Sequence, residues 1–140
     1  MKDLGNGKKL IVTGGSGYVG SRAVIALCKL GYPVVVVDKV HPQERGIQFD
    51  SAVLVRQGDL RDPSFAKSAL AAAHTILPLA ANIGSLIYMH EHQAEILQEN
   101  SAIDASVYPA ALDAGKPCIV YSGSSMVFQR STVFPYREED

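Results

Sequence analysis

Residues 13–20 read TGGSGYVG, and this octapeptide restricts the possible folds of the chain more than any other stretch. Gly14, Gly17 and Gly20 recur at three-residue intervals between a short apolar run, Lys9–Thr13, and a segment with helical apolar spacing. A strand that turns at once into a helix uses glycine for the tight turn, for approach of backbone to a phosphate, and for close packing of helix on strand. The first turn of such a helix carries unpartnered N–H groups and a partial positive charge, which together suit a pyrophosphate. No Gly-Lys-Ser/Thr comes after the glycines, so a P-loop is excluded. Three glycines alone also fit a turn without a ligand. Asp38 adds weight, because it ends the next apolar run about 20 residues on, where a carboxylate accepts hydrogen bonds from the ribose of a dinucleotide. Asp38 repels a 2′-phosphate and favours NAD over NADP, with Lys39 beside it as a counterweight.

The rest of the chain alternates in the same manner. Val19, Ala23, Leu27 and Leu30 predict the buried stripe of the first helix, which Gly31 and Pro33 end. Val34 to Val37 read as a strand covered on both faces. His41 to Asp50 is polar and broken by Pro42 and Gly46, the pattern of a loop. A third strand is predicted over Ala52 to Arg56, before Gly58-Asp59-Leu60. Asp62 and Pro63 form an N-cap and first helical position, with Phe65, Ala66, Ala69 and Leu70 as the buried stripe. His74 to Leu79 is a fourth strand with Pro78 near its end. A longer helical pattern covers Glu91 to Ala114, with Ile96, Ile103, Val107, Ala110 and Ala114 on one side. Pro109 interrupts it, and an interior proline costs about 3 kcal/mol, which predicts a kink or break there. Cys118 to Tyr121 is a fifth strand, and the remainder reads as irregular. Alternation with right-handed crossovers predicts an α/β fold: a doubly wound, Rossmann-type parallel sheet of order 3-2-1-4-5.

A chain of 140 residues suffices for one domain. A net charge of −1 argues against a nucleic-acid backbone or an anionic membrane as partner. Cys28 and Cys118 are expected to be reduced, buried thiols, and their spacing does not resemble a metal-ligand pair. MKDLGNGKK lacks the length of a signal peptide, and no stretch approaches the ~20 apolar residues of a membrane span. The expectation is a soluble, cytoplasmic protein without a metal. Asp59 and Leu60, past the third strand, could flank an adenine or simply cap a turn. Leu79, Ala80 and Ala81 could let a cofactor lie against the sheet edge or merely pack closely.

Taken in order, TGGSGYVG, Asp38 after the valines, GDLRD at 58–62, LAA at 79–81, Asn100 and IVYSGSSMVF at 119–128 resemble the extended short-chain dehydrogenase/reductases. The similarity is to their NAD-dependent sugar-nucleotide epimerases and dehydratases. It implies a cofactor site built on the glycines with Tyr18 and Val19, on Asp38, Lys39, Asp59 and Leu60, and on Leu79–Ala81, Asn100 and Ser122. It implies that Ser124 hydrogen-bonds the substrate hydroxyl, and that a nucleotide sugar is the substrate, oxidised by transient hydride transfer to NAD. The segment LAANIGSLIYMHEHQAEILQEN is also similar to that of the GDP-mannose 3,5-epimerases, which use a cysteine two residues past the aligned serine. Met126 stands there, and a thioether cannot shuttle a proton, which argues against that reaction.

The family's base is the tyrosine of a Tyr-x-x-x-Lys, on a helix shortly after a segment like FPYREED. None of Tyr18, Tyr32, Tyr88, Tyr108, Tyr121 and Tyr136 has lysine four positions later. Residues 1–140 are therefore expected to form an incomplete NAD-binding domain, ending before the catalytic helix and the substrate domain. A chain of this kind is expected to be inactive alone, with self-association, as a homodimer or otherwise, through an uncovered apolar surface. His90 and His92, and Glu91, Glu95 and Glu99 at i, i+4 spacing, read most simply as solvated helix faces. The alternatives are a non-catalytic NAD-binding or redox-sensing module of the same superfamily, or a purely structural half-domain.

Overall fold

The computed structural model describes residues 9–124, 134 and 137. Among these, five parallel strands form one sheet: β1 (Lys9–Thr13), β2 (Val34–Asp38), β3 (Leu54–Gln57), β4 (Ala73–Pro78) and β5 (Cys118–Ile119), in the order β3-β2-β1-β4-β5. The helices are α1 (Tyr18–Lys29), α2 (Pro63–Leu70), α3 (Leu86–Glu91) and α4 (Gln93–Asp113). This is the expected doubly wound arrangement, and alternation along the central strands produces it. Ile11, Val35, Val37 and Ile76 face one core with Ala66, Ala69 and Leu70 of α2 and Val107, Ala110 and Ala111 of α4. Leu10, Val12, Val34 and Val36 point to the opposite core, against Val24 of α1. All five residues of β2 are buried, as a valine run covered on both faces requires.

Several boundaries differ from the sequence reading, each for a local reason. On α1 the buried residues are Gly20, Ser21 and Val24, whereas Val19 and Leu30 are exposed. Gly20 must face the turn after β1, and that requirement rotates the helix away from its most apolar stripe. The segment expected to run from Glu91 to Ala114 is two helices parted at His92, whose ring stacks on Tyr88 and pairs with Glu95. Pro109 lies inside α4 without breaking it. Proline deprives the Ala105 carbonyl of its donor, but Ala105 and Pro109 are both exposed, so water can serve that carbonyl. Val107, Ala110 and Ala111 bury the opposite side and hold the helix through the defect.

The third strand begins two residues late, and the segment 41–50 contains a 3-10 turn, Pro42–Arg45. The fifth strand pairs over two residues rather than four, and Cys118 on that edge strand is exposed rather than buried. Cys28 is half-buried, and burial pushes its thiol up, with Asp50 adding to the effect. Asp62 caps α2 as expected, its Oδ1 accepting from Ser64 N at 2.8 Å.

Because Pro109 weakens α4 and nothing buried depends on its ring, Pro109→Ala should raise stability by about 2 kcal/mol, the helical gain less the unfolded-state entropy that proline removes. Urea unfolding of the two chains checks this, and an unchanged or lower midpoint would show that the Ala105 carbonyl incurs no penalty.

Candidate functional site

Parallel strands end together, and in a doubly wound sheet the crevice opens past their carboxyl ends where the strand order reverses. Here that point lies between β1 and β4. β1 continues into the glycine turn through Gly14, whose N–H donates to Val37 O at 2.8 Å and whose φ of +68° is left-handed. A Cβ on Gly14 would stand 2.6 Å from the Leu79 carbonyl oxygen, and one on Gly20 would stand 2.1 Å from the Gly14 carbonyl oxygen. Both separations are impossible for real side chains, so the turn, α1 and the end of β4 can meet this closely only with glycine at these positions. Gly17 caps α1 without a side-chain hydrogen bond, and no acidic residue occupies the first turn. The N–H groups of Tyr18 and Val19 thus have no capping side chain.

The end of β4 is held from two sides. Thr13 Oγ1 accepts from Leu79 N at 3.1 Å and Ala80 N at 3.2 Å, extending the strand pairing past Pro78. Asn100 of α4 treats Asn82 as a strand treats its neighbour: Asn82 N donates to Oδ1 at 2.7 Å, and Nδ2 donates to Asn82 O at 3.0 Å. Asn82 also exchanges hydrogen bonds with the Tyr88 hydroxyl at 3.3 Å.

Between these walls lies a cleft of about 430 Å³. It brings together Gly14, Gly17, Tyr18, Val19 and Gly20 with Asp38 and Lys39 from the end of β2, Asp59 and Leu60 from beyond β3, and Leu79, Ala80 and Ala81 from beyond β4. These are twelve of the fifteen residues expected at the site. Asn100 is outside the lining and acts on it through Asn82. Ser122 and Ser124, past β5, are exposed and also outside it. Met126 and Tyr136 lie outside the described residues.

Asp38 is buried, and its carboxylate clasps the backbone on both sides of the cleft mouth. Ser16 N donates to Oδ2 at 2.9 Å, and Val40 N donates to Oδ1 at 3.0 Å. Two of about four lone-pair sites stay available for another donor. The Ser16 hydroxyl, buried in the same turn, has no hydrogen-bond partner among the described residues, an exception for a buried polar atom.

The lining also contains residues that sequence reasoning passes over: Arg45, Gly58, Arg61, Asn82, Glu99 and Ile103. Glu99 is not merely solvated, since it pairs with Arg61 at 3.2 Å. Arg61 in turn forms a 2.6 Å ion pair with Asp59. Hydrogen bonds from the Arg61 side chain hold the Asp59 carboxyl below the usual carboxylate range, against a smaller opposing effect of burial. The spacing Asp59-x-Arg61 is visible in GDLRD, but the partner on α4 is 38 positions further along. His92, by contrast, is engaged with Tyr88 and Glu95 and does not line the cleft. Among the described residues no group of three His, Cys, Asp or Glu could hold a metal ion, and no helix is long and apolar enough to cross a membrane.

Comparison with known proteins gives this geometry a lineage. The chain is 28% identical over 134 residues to the UDP-glucose 4-epimerase of Halalkalibacterium halodurans, covering 94% of this chain and 39% of that protein. It is 30% identical over 142 residues to a dTDP-4-dehydro-6-deoxy-D-allose reductase from Streptomyces, covering 96% and 43%. In structure it matches a UDP-glucose 4-epimerase from Stenotrophomonas maltophila, solved with NAD and formylated UDP-arabinopyranose, at a TM-score of 0.74 and 26% identity, covering 94% and 41%. The chain thus spans about two fifths of the length of these relatives. Residues 10–140 match the model of the NAD dependent epimerase/dehydratase family, and the chain belongs to that family.

Proposed function

We propose that this chain is the NAD-binding part of a nucleotide-sugar epimerase or dehydratase. The observation that carries the proposal is the meeting, in one cleft, of the uncapped start of α1, the glycine turn, Asp38 and Asp59. The residues fit the cofactor. Tyr18 and Val19 offer backbone N–H groups to a pyrophosphate at the positive end of α1. Asp38 keeps acceptor capacity for ribose hydroxyls, and Asp59 with Leu60 offers an acceptor and an apolar surface to the adenine. Leu79, Ala80 and Ala81 leave room for the middle of the dinucleotide, and Thr13 and Asn100 hold that floor in place. The unpartnered Ser16 hydroxyl is consistent with a ligand-binding turn.

When bound, NAD would supply a hydride acceptor for the carbon that bears a sugar hydroxyl. Ser124, and Ser122 beside it, would supply hydrogen bonds next to the nicotinamide and the substrate hydroxyl. General acid–base catalysis needs a positioned group within hydrogen-bond reach of the moving proton, and this sequence holds no Tyr-x-x-x-Lys to provide it. The exposed Leu86, Ile87 and Leu97 of α3 and α4 support self-association, with a homodimer as its simplest form. Free cysteines support a cytoplasmic location.

Calorimetric titration should show one NAD bound per chain. Gly20→Ala should weaken that binding at least about tenfold by forcing α1 off the turn; binding that survives the substitution unchanged would refute the pyrophosphate site. The 140-residue chain should not turn over UDP- or dTDP-sugars, as monitored by chromatography of the products. Measurable turnover would reveal a base other than the family's tyrosine.

A further inference from the structure

The cleft is polar on one side and apolar on the other. Strand order puts β2 and β3 on one side of β1 and its glycine turn, and β4 on the other. Asp38, Lys39, Arg45, Asp59 and Arg61 come from the segments that follow β2 and β3, and all are charged. Asp59 pairs with Arg61, whereas Lys39 and Arg45 make no ion pair among the described residues. Arg45 instead donates from Nη1 to the Ser16 carbonyl at 3.4 Å, which holds a cation beside the entrance to α1. Two cations without a carboxylate partner, next to the uncapped first turn of α1, suit the two negative charges of a pyrophosphate.

The β4 side contributes Leu79, Ala80, Ala81, Asn82 and Ile83, with Ile103 from α4, and Asn82 alone among these has a polar side chain. The polar groups here are committed within the protein. Leu79 N and Ala80 N donate to Thr13 Oγ1, and Asn82 gives its backbone N and O to Asn100. The Tyr88 hydroxyl engages the Asn82 side-chain amide at 3.3 Å. Glu99 of α4 also lines the cleft, but it is paired with Arg61 at 3.2 Å. Ser122 and Ser124 are exposed and stand outside the lining. A site rejects an analogue that lacks a polar group only where it hydrogen-bonds that group. The carboxamide of a nicotinamide meets no such partner on this wall, and the paired Glu99 offers little to the positive charge that separates the ring of NAD from that of NADH.

We infer that this cleft recognises the adenosine diphosphate ribose portion of its ligand and is indifferent to the nicotinamide, an inference that rests on the reading of the cleft as a dinucleotide site. Its ligand class is then wider than NAD. Any molecule that presents ADP-ribose is held, with a nicotinamide in either oxidation state or with none. Bound in this way, the chain does not report the redox state of the cofactor.

The test is calorimetric titration of the 140-residue chain with NAD, NADH, free ADP-ribose and nicotinamide mononucleotide. The first three dissociation constants should agree within about threefold, well short of the roughly tenfold or more that a hydrogen bond to a charged group contributes. Nicotinamide mononucleotide should give no binding heat at concentrations that saturate the chain with NAD. Lys39→Ala and Arg45→Ala should weaken NAD, NADH and ADP-ribose alike and leave their ratios unmoved. Asn82→Ala, which keeps the backbone pairing with Asn100, should leave those ratios unmoved as well. A preference for NAD or NADH over ADP-ribose of more than about threefold overturns this inference and leaves the NAD reading standing. So does an Asn82→Ala chain that loses affinity for NAD and NADH but not for ADP-ribose. Failure of the unaltered chain to bind any of the first three ligands overturns both.

Discussion

The structure depends on a tight approach between α1 and the turn that launches it, where the Gly14 carbonyl oxygen occupies space a side chain at position 20 would need. The contact sets the rotation of α1, and with it which of its residues reach the core beside Val12 and Val36. It also places the uncapped first turn of the helix in the lining of the cleft. Packing and chemistry have one origin here. The backbone that could come no nearer with any other residue is the same backbone that would meet a phosphate.

Around that contact, polar side chains make pairings that the strands cannot. A parallel sheet has no way to continue pairing once its strands part, yet the cleft needs its floor to stay in register. Thr13 supplies an oxygen to two consecutive amides past Pro78, Asp38 supplies both of its oxygens to backbone on either side, and Asn100 imitates a peptide unit. Each is a short side chain standing in for a missing backbone partner, which suits buried or half-buried positions where an unmet amide is costly. Removing the side chain of Asp38 or Asn100 would leave two backbone groups unmet, whereas without Thr13 Oγ1 the Leu79 amide keeps the Thr13 carbonyl and Ala80 N alone loses its partner.

How much of this is legible in the residues depends on the range of the interaction. The glycine turn, the valine strand and the Asp62-Pro63 helix start are local patterns, and the structure has them where the local signals lie. The buried face of α1 is not legible in this way, because apolar spacing favours Val19 and Leu30 while a contact with a carbonyl decides the rotation. Intrinsic propensity predicts a break at Pro109, and an exposed position with a buried opposite side overrides it. Glu99 looks like surface because its partner is 38 residues away, on a loop that only the fold brings alongside. Twelve of the fifteen anticipated residues still line the cleft, since the family motifs mark strand ends, and strand ends converge in this architecture.

Side chains that stand in for backbone also govern how the loop past β4 can move. Segments that line a binding crevice usually open readily, and their amides exchange with solvent on that account. Leu79, Ala80 and Asn82 instead give their N–H groups to side chains rooted in the central strand and in α4. Their exchange is therefore tied to opening of the sheet interior rather than to motion at the surface. By that measure the floor of the cleft is tied to the central strand and to α4 in a shape made before any ligand arrives.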